Sequence, residues 1–255
     1  MLIILSPAKT LDFDSKRPKV ESTDIRFPME SQTLASLLKM NSPDELAQLM
    51  RISSQLANLN AERYFQWKWP FAKDDTRPAL FAFKGDVYTG LDAFSMEMDT
   101  IRYTQTHVRI LSGLYGLLRP LDAIMPYRLE MGTRLTTDKG DDLYHFWGNE
   151  ITRLLNEDMK QAGQTVLVNL ASQEYFKSLN EKLLDAKVVT PVFKDYKNGD
   201  YKIISFFAKK ARGMMTRFIV ENRLSNPEDI KAFDMDGYHF NNEMSKNSQM
   251  VFTRR

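Results

Sequence analysis

Cysteine is absent from this 255-residue chain, and histidine occurs only at His107, His145 and His239. Without cysteine there can be no disulfide, no thiolate nucleophile and no zinc or iron–sulfur site that needs a Cys ligand. The three histidines lie far apart in the sequence, so no pair has the short spacing that places two ligands on one helix or hairpin. We therefore expect no bound metal and no cofactor.

Long apolar runs are also absent. Runs such as residues 2–5, 79–83 and 203–208, the last interrupted by Ser205, fall far short of the ~20 residues that a membrane-spanning helix needs. The N-terminus lacks the basic region and apolar stretch of a secretory signal. The chain carries 35 basic and 33 acidic residues, a formal charge of +2, so its overall charge indicates no particular partner. These features predict a cytoplasmic protein without a membrane partner.

Glycine does not occur before Gly85. The segment Ser6-Pro7-Ala8-Lys9-Thr10 follows an apolar run and ends in Lys-Thr. A nucleotide-binding phosphate loop, however, needs glycines so that backbone N–H groups can surround a phosphate. We therefore exclude nucleotide hydrolysis by such a loop. Lys9, just beyond a strand end, can still bind an anion, or it can be an ordinary solvated lysine.

Apolar and β-branched runs alternate with amphipathic segments, a pattern typical of an α/β (α+β) fold. The predicted strands cover residues 2–5, 79–83, 165–170, 187–196, 200–207 and 249–253. The predicted helices cover about residues 29–40, 43–50, 96–111, 142–162 and 208–224, with a loop at 12–28. Asn198-Gly199 predicts a tight hairpin, so the sheet should be mixed, with flanking helices. We expect one globular domain over 1–255, with a possible helical sub-lobe at 29–70.

Residues 43–65 predict a helix–hairpin–helix-like element. Ser42 and Glu45 form the pattern of a capping box at its start. In DNA-binding versions of this element, a glycine-rich hairpin directs backbone N–H groups toward phosphate. Asn58 and Asn60 stand where those glycines are usual, and asparagine tolerates left-handed conformations best after glycine. An ordinary pair of packed helices is the alternative.

Polar side chains follow several predicted strands directly. The carboxyl ends of neighbouring strands meet at one edge of a sheet, which is where α/β folds place binding sites. The candidates are Lys84, Asp86 and Tyr88 after the strand at 79–83, Arg109, Tyr115, Arg128 and Glu130 in the arginine-containing stretch at 109–134, and Glu174 after the strand at 165–170. Arginines among apolar residues need an anionic partner, either a structural carboxylate or a bound anion.

Three of these candidates, Asp86, Glu130 and Glu174, are carboxylates. If they converge, they can exchange protons with a substrate or hold a divalent cation. Tyr88 and Tyr115 can then stack on a nucleobase or bind it through a hydrogen bond. Convergence of these side chains within hydrogen-bond reach in one pocket is the observation that would favour an enzyme.

The strongest local charge lies at residues 202–223, where six basic residues accompany Glu221 as the single acidic one. A solvated helix face is the usual explanation of such a run, but that face normally carries acidic partners one turn away. Lys209, Lys210 and Arg212 are therefore candidate phosphate ligands.

Six motifs resemble those of the bacterial peroxide-stress protein YaaA family, over essentially the whole chain. They are Ser-Pro-Ala-Lys-Thr-Leu at 6–11, Phe-Lys-Gly-Asp-Val-Tyr-Thr-Gly-Leu at 83–91, Leu-Ser-Gly-Leu-Tyr-Gly-Leu-Leu-Arg-Pro-Leu-Asp at 111–122, Pro-Tyr-Arg-Leu-Glu-Met-Gly at 126–132, Val-Asn-Leu-Ala-Ser at 168–172 and Phe-Ala-Lys-Lys-Ala-Arg-Gly at 207–213. The resemblance implies one mixed α/β fold with a basic cleft, a helix–hairpin–helix element and DNA binding. It also implies a cytoplasmic protein, induced by hydrogen peroxide, that keeps unincorporated iron low and limits oxidative damage. It names no catalytic residue.

Together these observations favour an oxidative-stress protein that binds DNA phosphates as a monomer, with little sequence preference. The predicted DNA ligands are Lys9, Lys84, Arg109, Arg128, Lys209, Lys210 and Arg212, with Asn58 and Asn60 at the hairpin. The alternative is an enzyme that acts on a nucleotide, a nucleobase or damaged DNA through Asp86, Glu130 and Glu174. Direct iron binding is disfavoured, because the chain has no Glu-x-x-His pair of the kind found in carboxylate-bridged iron bundles.

Overall fold

The structure is a computed structural model that describes residues 1–16 and 19–255; Arg17 and Pro18, in the predicted loop at 12–28, lie outside the described residues. The strands are β1 (Leu2–Leu5), β2 (Thr10–Leu11), β3 (Arg77–Pro78), β4 (Phe83–Lys84), β5 (Val108–Ser112), β6 (Gly116–Leu118), β7 (Ala123–Ile124), β8 (Val166–Asn169), β9 (Lys187–Lys197), β10 (Asp200–Lys202), β11 (His239–Phe240) and β12 (Gln249–Arg254). The α-helices are α1 (Pro28–Lys39), α2 (Pro43–Met50), α3 (Ser54–Gln66), α4 (Ala79–Ala82), α5 (Asp86–Leu91), α6 (Met98–His107), α7 (Leu143–Trp147), α8 (Glu150–Gln161), α9 (Gln173–Phe176) and α10 (Ser205–Glu221). Short 3₁₀ helices cover Lys73–Asp75, Ala93–Ser95, Pro227–Ala232 and Met235–Gly237. No helix within the described ranges has the length and apolarity needed to cross a membrane.

A mixed sheet forms the centre of the molecule, with the strand order β11-β12-β9-β8-β1-β5-β6 and with β10 paired to β9. The pairs β12–β9, β9–β8, β8–β1 and β1–β5 are parallel. The pairs β5–β6, β9–β10 and β11–β12 are antiparallel. The predicted α/β fold with a mixed sheet and flanking helices is confirmed.

The strand β1 lies in the middle of this sheet, and none of its four apolar residues is exposed. Continuous apolar runs are typical of strands that are covered on both faces. Its neighbours β5 and β8 are both parallel to it, so the chain leaves β1 toward one side and later returns to the other. Such a reversal opens a crevice at the carboxyl ends of the strands, the usual position of ligand sites in α/β folds.

Two local signals in the sequence are confirmed. Ser42 Oγ accepts a hydrogen bond from the Glu45 N–H at 3.3 Å, and the Glu45 carboxylate accepts one from the Ser42 N–H at 2.7 Å, which completes the capping box of α2. Asn198 and Gly199 have positive φ angles of 55° and 84°. They join β9 to β10 as a two-residue hairpin, because this backbone twist matches the twist of the paired strands.

Four predicted elements are wrong in part. The predicted strand at 200–207 ends at Lys202, and the helix α10 already begins at Ser205. The predicted strand at 79–83 is mostly the helical turn α4, and only its last residue belongs to β4. The predicted helix at 96–111 ends at His107, and the buried strand β5 follows at once. The apolar runs there are too short for their period to separate helix from strand. The predicted helix at 142–162 is two helices, α7 and α8, because the chain turns at Gly148 with a φ of 48°.

The helix–hairpin–helix prediction placed its turn at the wrong residues. The chain turns between α2 and α3 at residues 51–53, which include no glycine. Asn58 and Asn60 lie inside α3, where their side-chain amides donate to backbone carbonyls one turn earlier at 2.8 and 2.7 Å. The side chain of Ser53 caps the start of α3. Backbone N–H groups in the body of a helix are already bonded, so the two asparagines offer no main-chain contact to phosphate.

The helices α1–α3 pack on one another and on the rest of the molecule. The buried side chains of Leu34, Leu46 and Tyr64 belong to the same continuous apolar cluster as β1. The Tyr64 hydroxyl also donates a hydrogen bond to the Arg128 carbonyl. This bond links α3 to a segment that lines the site described below. The division into a helical sub-lobe at 29–70 stays a prediction.

Candidate functional site

A cavity of about 450 Å3 lies in the crevice at the carboxyl ends of β1 and β8. This volume is within the range of about 300–1,000 Å3 that is typical of small-molecule sites. Segments distant in the sequence form its walls: residues 6–10, 84–88 and 127–130, together with Ser172, Glu174, Tyr175, Lys209 and Arg212. The strand ends that the sequence marked with polar residues therefore meet in one place.

Hydrogen bonds join the strand-end segments beside the cavity. Ser6 Oγ accepts from the Ser172 N–H at 2.8 Å, so the segments after β1 and β8 are tied directly. The Tyr88 hydroxyl donates to the Ser6 carbonyl at 3.1 Å, which fixes α5 to the same point. Ser172 makes no side-chain capping bond to α9. The role of both serines was not recognisable from the sequence, because it depends on the pairing of β1 with β8.

The helix α10 crosses α5 at a direct backbone contact between Gly213 and Gly90. A Cβ atom at Gly213 would lie 1.8 Å from a carbonyl oxygen of α5, and a Cβ at Gly90 would lie 2.0 Å from one of α10. Neither position accepts a side chain unless a helix moves. The crossing thereby holds Lys209 and Arg212 of α10 at the same cavity as Asp86 of α5.

Basic side chains dominate the cavity lining: Lys9, Lys84, Arg128, Lys209 and Arg212. The three lysines are exposed residues, with side-chain exposures of 67% for both Lys9 and Lys84, and they therefore lie at the solvent side of the cavity. The Arg128 side chain is only 16% exposed. An anion that enters the cavity thus meets lysines first and arginines deeper inside.

Arg212 has no counter-charge. Within residues 1–16 and 19–255 its guanidinium makes no ion pair and no hydrogen bond. Burial lowers the pKa of Arg212 below its ordinary value, and no neighbouring carboxylate acts against this. The ammonium of Lys209 also lacks a partner in the part of the chain that the structure describes. A partly buried guanidinium without an anion is costly, so this geometry suits a bound anion.

The three predicted carboxylates all line the cavity, but they are occupied differently. Glu130 Oε1 lies 2.9 Å from Arg128 Nη2 and 3.3 Å from Lys9 Nζ. Glu174 accepts a backbone N–H at 2.9 Å. The Asp86 side chain makes no ion pair or hydrogen bond with any described residue. Among those residues no group of three or more acidic or histidine side chains is arranged to hold a metal ion.

Three tyrosines, Tyr88, Tyr127 and Tyr175, form an aromatic part of the wall. They are 8%, 4% and 7% exposed. Burial raises the pKa of each hydroxyl above its ordinary value, so all three stay neutral at physiological pH. Of the three, only Tyr88 was predicted as a site residue from the sequence. The signal for the other two was their position next to a predicted charged residue, Arg128 or Glu174.

Three other predicted site residues lie away from the cavity lining. Arg109 is on β5, where its Nε lies 2.5 Å from a carboxylate oxygen of Asp158 on α8. Lys210 Nζ lies 3.8 Å from Asp236. Tyr115 is fully buried, and its hydroxyl accepts the indole N–H of a tryptophan at 3.0 Å. The structure thus separates the adjacent lysines 209 and 210, since only the first lines the cavity.

Comparison with known proteins gives a consistent result over the full length. The family model described as Peroxide stress protein YaaA matches residues 1–244. A UPF0246 protein of Hahella chejuensis is 57% identical over 254 residues, covering 100% of this chain and 99% of that protein. A UPF0246 protein of Aliivibrio fischeri is 54% identical over 254 residues, covering 100% and 98%. One of Saccharophagus degradans is 52% identical over 255 residues, covering 100% of both.

Proposed function

Because this chain belongs to the peroxide stress protein YaaA family, we propose that it acts in the peroxide response by binding DNA phosphates at the cavity. The observation that carries the proposal is the pair Arg212 and Lys209, two cations that face one cavity without a counter-charge among the described residues. Phosphate is the anion that DNA offers, and basic residues clustered at one site are its usual ligands.

The two classes of basic side chain have different roles in this proposal. The exposed lysines Lys9 and Lys84 contact successive backbone phosphates near the rim, so they contribute affinity and salt dependence without reading sequence. Arg128 and Arg212 lie deeper and bind the phosphate of the nucleotide unit that enters the cavity. Guanidinium groups suit this position because they bind phosphate through paired N–H donors.

DNA binding by the wild-type protein and by two variants tests the proposal. Arg212→Gln removes a charged hydrogen-bond donor worth about 1.5–3 kcal/mol, so the affinity for a labelled duplex should fall about tenfold or more. Lys209→Ala should reduce the slope of log affinity against log salt by about one phosphate contact. Fluorescence anisotropy between about 50 and 200 mM salt measures both quantities.

The matched control is Lys210→Ala, because Lys210 is the adjacent lysine on the same helix but pairs with Asp236 outside the cavity lining. We expect its duplex affinity and salt slope to equal those of the wild type. Equal losses of duplex affinity in Lys209→Ala and Lys210→Ala would indicate a general effect of net charge. Unchanged duplex affinity in Arg212→Gln would show that the cavity does not bind the DNA.

In the cell we propose that the protein works as a monomer in the cytoplasm and that its activity accompanies a low level of unincorporated iron and less oxidative damage to DNA. Cells that lack the protein should accumulate more chelatable iron and more DNA lesions after a peroxide challenge. Complementation with wild type should restore both values, and complementation with Arg212→Gln should restore neither. Restoration of the iron level alone would separate iron control from DNA binding.

A second candidate function is an enzyme that acts on a nucleotide, a nucleobase or damaged DNA. The specific observation in its favour is that Asp86 lines the cavity with no hydrogen-bond partner among the described residues, so its carboxylate is free to accept a proton. The test is incubation with nucleotides and with oxidised duplex DNA, followed by chromatography. Products formed by the wild type and not by Asp86→Asn would establish catalysis; recovery of every substrate unchanged would reject it.

A further inference from the structure

The unpartnered carboxylate of Asp86 is unexpected in a cavity that gathers five basic side chains. We propose that the cavity takes one guanine nucleotide unit, with its phosphate at Arg212 and Lys209 and the N–H edge of its base at Asp86. This inference rests on the proposed binding of DNA phosphates and names the nucleotide that the same site recognises.

A site for phosphate alone gains nothing from Asp86. An exposed carboxylate near a bound phosphate repels it, and a half-buried carboxylate without a donor costs free energy. The side chain is half-buried at the start of α5 and makes no ion pair with any of the basic residues that line the same cavity. A ligand that carries both an anion and hydrogen-bond donors satisfies the cations and the carboxylate together.

The other two carboxylates of the cavity are already in use. Glu130 forms ion pairs with Arg128 and Lys9, at 2.9 and 3.3 Å, and Glu174 accepts a backbone N–H at 2.9 Å. Asp86 is the one of the three whose side chain has no partner among the described residues, so a ligand at Asp86 competes with no existing contact.

The chemistry of a carboxylate selects the base. An ionised carboxylate has two acceptor oxygens and no donor, so it fits an edge with two adjacent N–H donors. Guanine presents such an edge through its ring N1–H and its exocyclic amino group, whereas uracil and thymine present a single ring N–H between two carbonyl oxygens. The rings of Tyr88, Tyr127 and Tyr175 supply the apolar wall that a planar base needs.

Calorimetric titration of the full chain with free mononucleotides tests this assignment. We expect guanosine 5′-monophosphate to bind about tenfold or more tightly than uridine 5′-monophosphate, since a bidentate base contact discriminates by about 1–3 kcal/mol. Inosine 5′-monophosphate, which lacks the exocyclic amino group, should fall between them. Inorganic phosphate should bind more weakly than all three and should compete with each.

Asp86→Asn should remove the preference, because the amide places an N–H donor where an oxygen accepted. Its affinities for the guanosine and uridine monophosphates should converge. The matched control is Asp99→Asn, which removes the same charge at an exposed ion pair outside the cavity lining and should keep the wild-type preference. Equal or tighter binding of the guanosine monophosphate by Asp86→Asn would overturn the inference. So would equal affinities for the two monophosphates in the wild type, a result that does not depend on the folding of any variant.

A second arm distinguishes a free nucleotide from a nucleotide within DNA. If a guanine nucleotide of a DNA strand enters the cavity, a duplex with one unpaired dG should bind more tightly than the fully paired duplex. If the two duplexes bind equally and mononucleotides bind tightly, the ligand of the cavity is the free nucleotide. Binding of the duplexes that depends on Arg212, with no binding of mononucleotides, would overturn this inference and leave the proposed function standing. No binding of either would overturn both.

Discussion

Two arginines predicted for the same basic cleft, Arg109 and Arg212, occupy opposite situations in the structure. Arg109 is buried against the sheet, where it shares the Asp158 carboxylate with Arg26, whose Nη1 lies 2.6 Å from that carboxylate. Arg212 has no anionic partner among the described residues and faces a cavity. A buried charge with a counterion is part of the fold, because removal of either partner is strongly destabilising, whereas a charge without a counterion is available to a ligand. The following changes separate these two roles.

The largest effect should come from Asp158→Ala, which leaves Arg109 and Arg26 without their shared carboxylate. Removal of one partner of a buried ion pair costs about 3–5 kcal/mol, so we expect the free energy of unfolding to fall by about that amount. Urea denaturation measures it. Asp99→Ala, at an exposed ion pair, should cost less than about 1 kcal/mol. Equal losses of unfolding free energy in Asp158→Ala and Asp99→Ala would show that the buried ion pairs of Asp158 contribute no more to stability than an exposed ion pair does.

A smaller loss should follow Gly213→Ala, because the new methyl group meets a backbone carbonyl of α5. Overpacking of this kind costs about 1–3 kcal/mol in the free energy of unfolding. The shift of α10 should also weaken DNA binding, since Arg212 moves with the helix. Gly163→Ala is the control for DNA affinity: its φ of 62° strains an alanine, but a Cβ there meets nothing within 4 Å, so α10 should not move and DNA affinity should stay unchanged. Wild-type DNA affinity in Gly213→Ala would show that the crossing does not position Arg212.

A low pH should reduce the difference in the free energy of unfolding between the wild type and Asp158→Ala. Burial acts to raise the pKa of Asp158, but the hydrogen bonds and charges of Arg109 and Arg26 outweigh it and hold that pKa below its ordinary value of 3.8. The carboxylate therefore stabilises the fold above that value, and this stabilisation is lost as pH falls through the lower folded pKa. The unfolding free energies of the wild type and Asp158→Ala should therefore become more similar as pH is lowered from about 6 to about 2.5. A constant difference would exclude ionisation of Asp158 as the cause.

The smallest effect on stability should be that of Arg212→Gln. The change removes a partly buried charge that has no described partner, so the free energy of unfolding should stay within about 0.5 kcal/mol of the wild type or rise. Arg109→Gln should instead lower it markedly, because Asp158 loses a hydrogen-bonded partner. Thermal denaturation compares the two variants. A large loss of stability in Arg212→Gln would assign this arginine to the fold rather than to ligand binding.

Part of the site was predictable because polar residues follow predicted strands. Glu174 follows β8 and lies at the carboxyl end of that parallel strand, where α/β folds place binding sites. Lys84 and Asp86 also line the cavity, although the predicted strand before them is mostly the helical turn α4 and β4 pairs antiparallel with β2 outside the central sheet. Arg212 was predictable from a run of basic residues without acidic partners.

The predictions that do not agree with the structure depended on information that local sequence lacks. Arg109 was assigned to a helix, because the apolar residues of β5 continue the pattern of α6 without a break, and its partner Asp158 is distant in the sequence. Lys209 and Lys210 are indistinguishable in a charge count, although about 100° of helical rotation separates them. Asn58 and Asn60 were interpreted as turn residues from their type, but the surrounding helix formers determined their conformation.

The contact between Gly90 and Gly213 fixes the distance between α5 and α10, and with it the width of the cavity. Where side chains separate two helices, larger or smaller side chains can change the distance between them. Here the main chains are in contact, so no substitution can bring the helices closer, and a larger residue at either position would push them apart. Natural divergence and protein engineering must therefore retune ligand preference by replacing groups on the cavity surface, at a constant spacing between its walls.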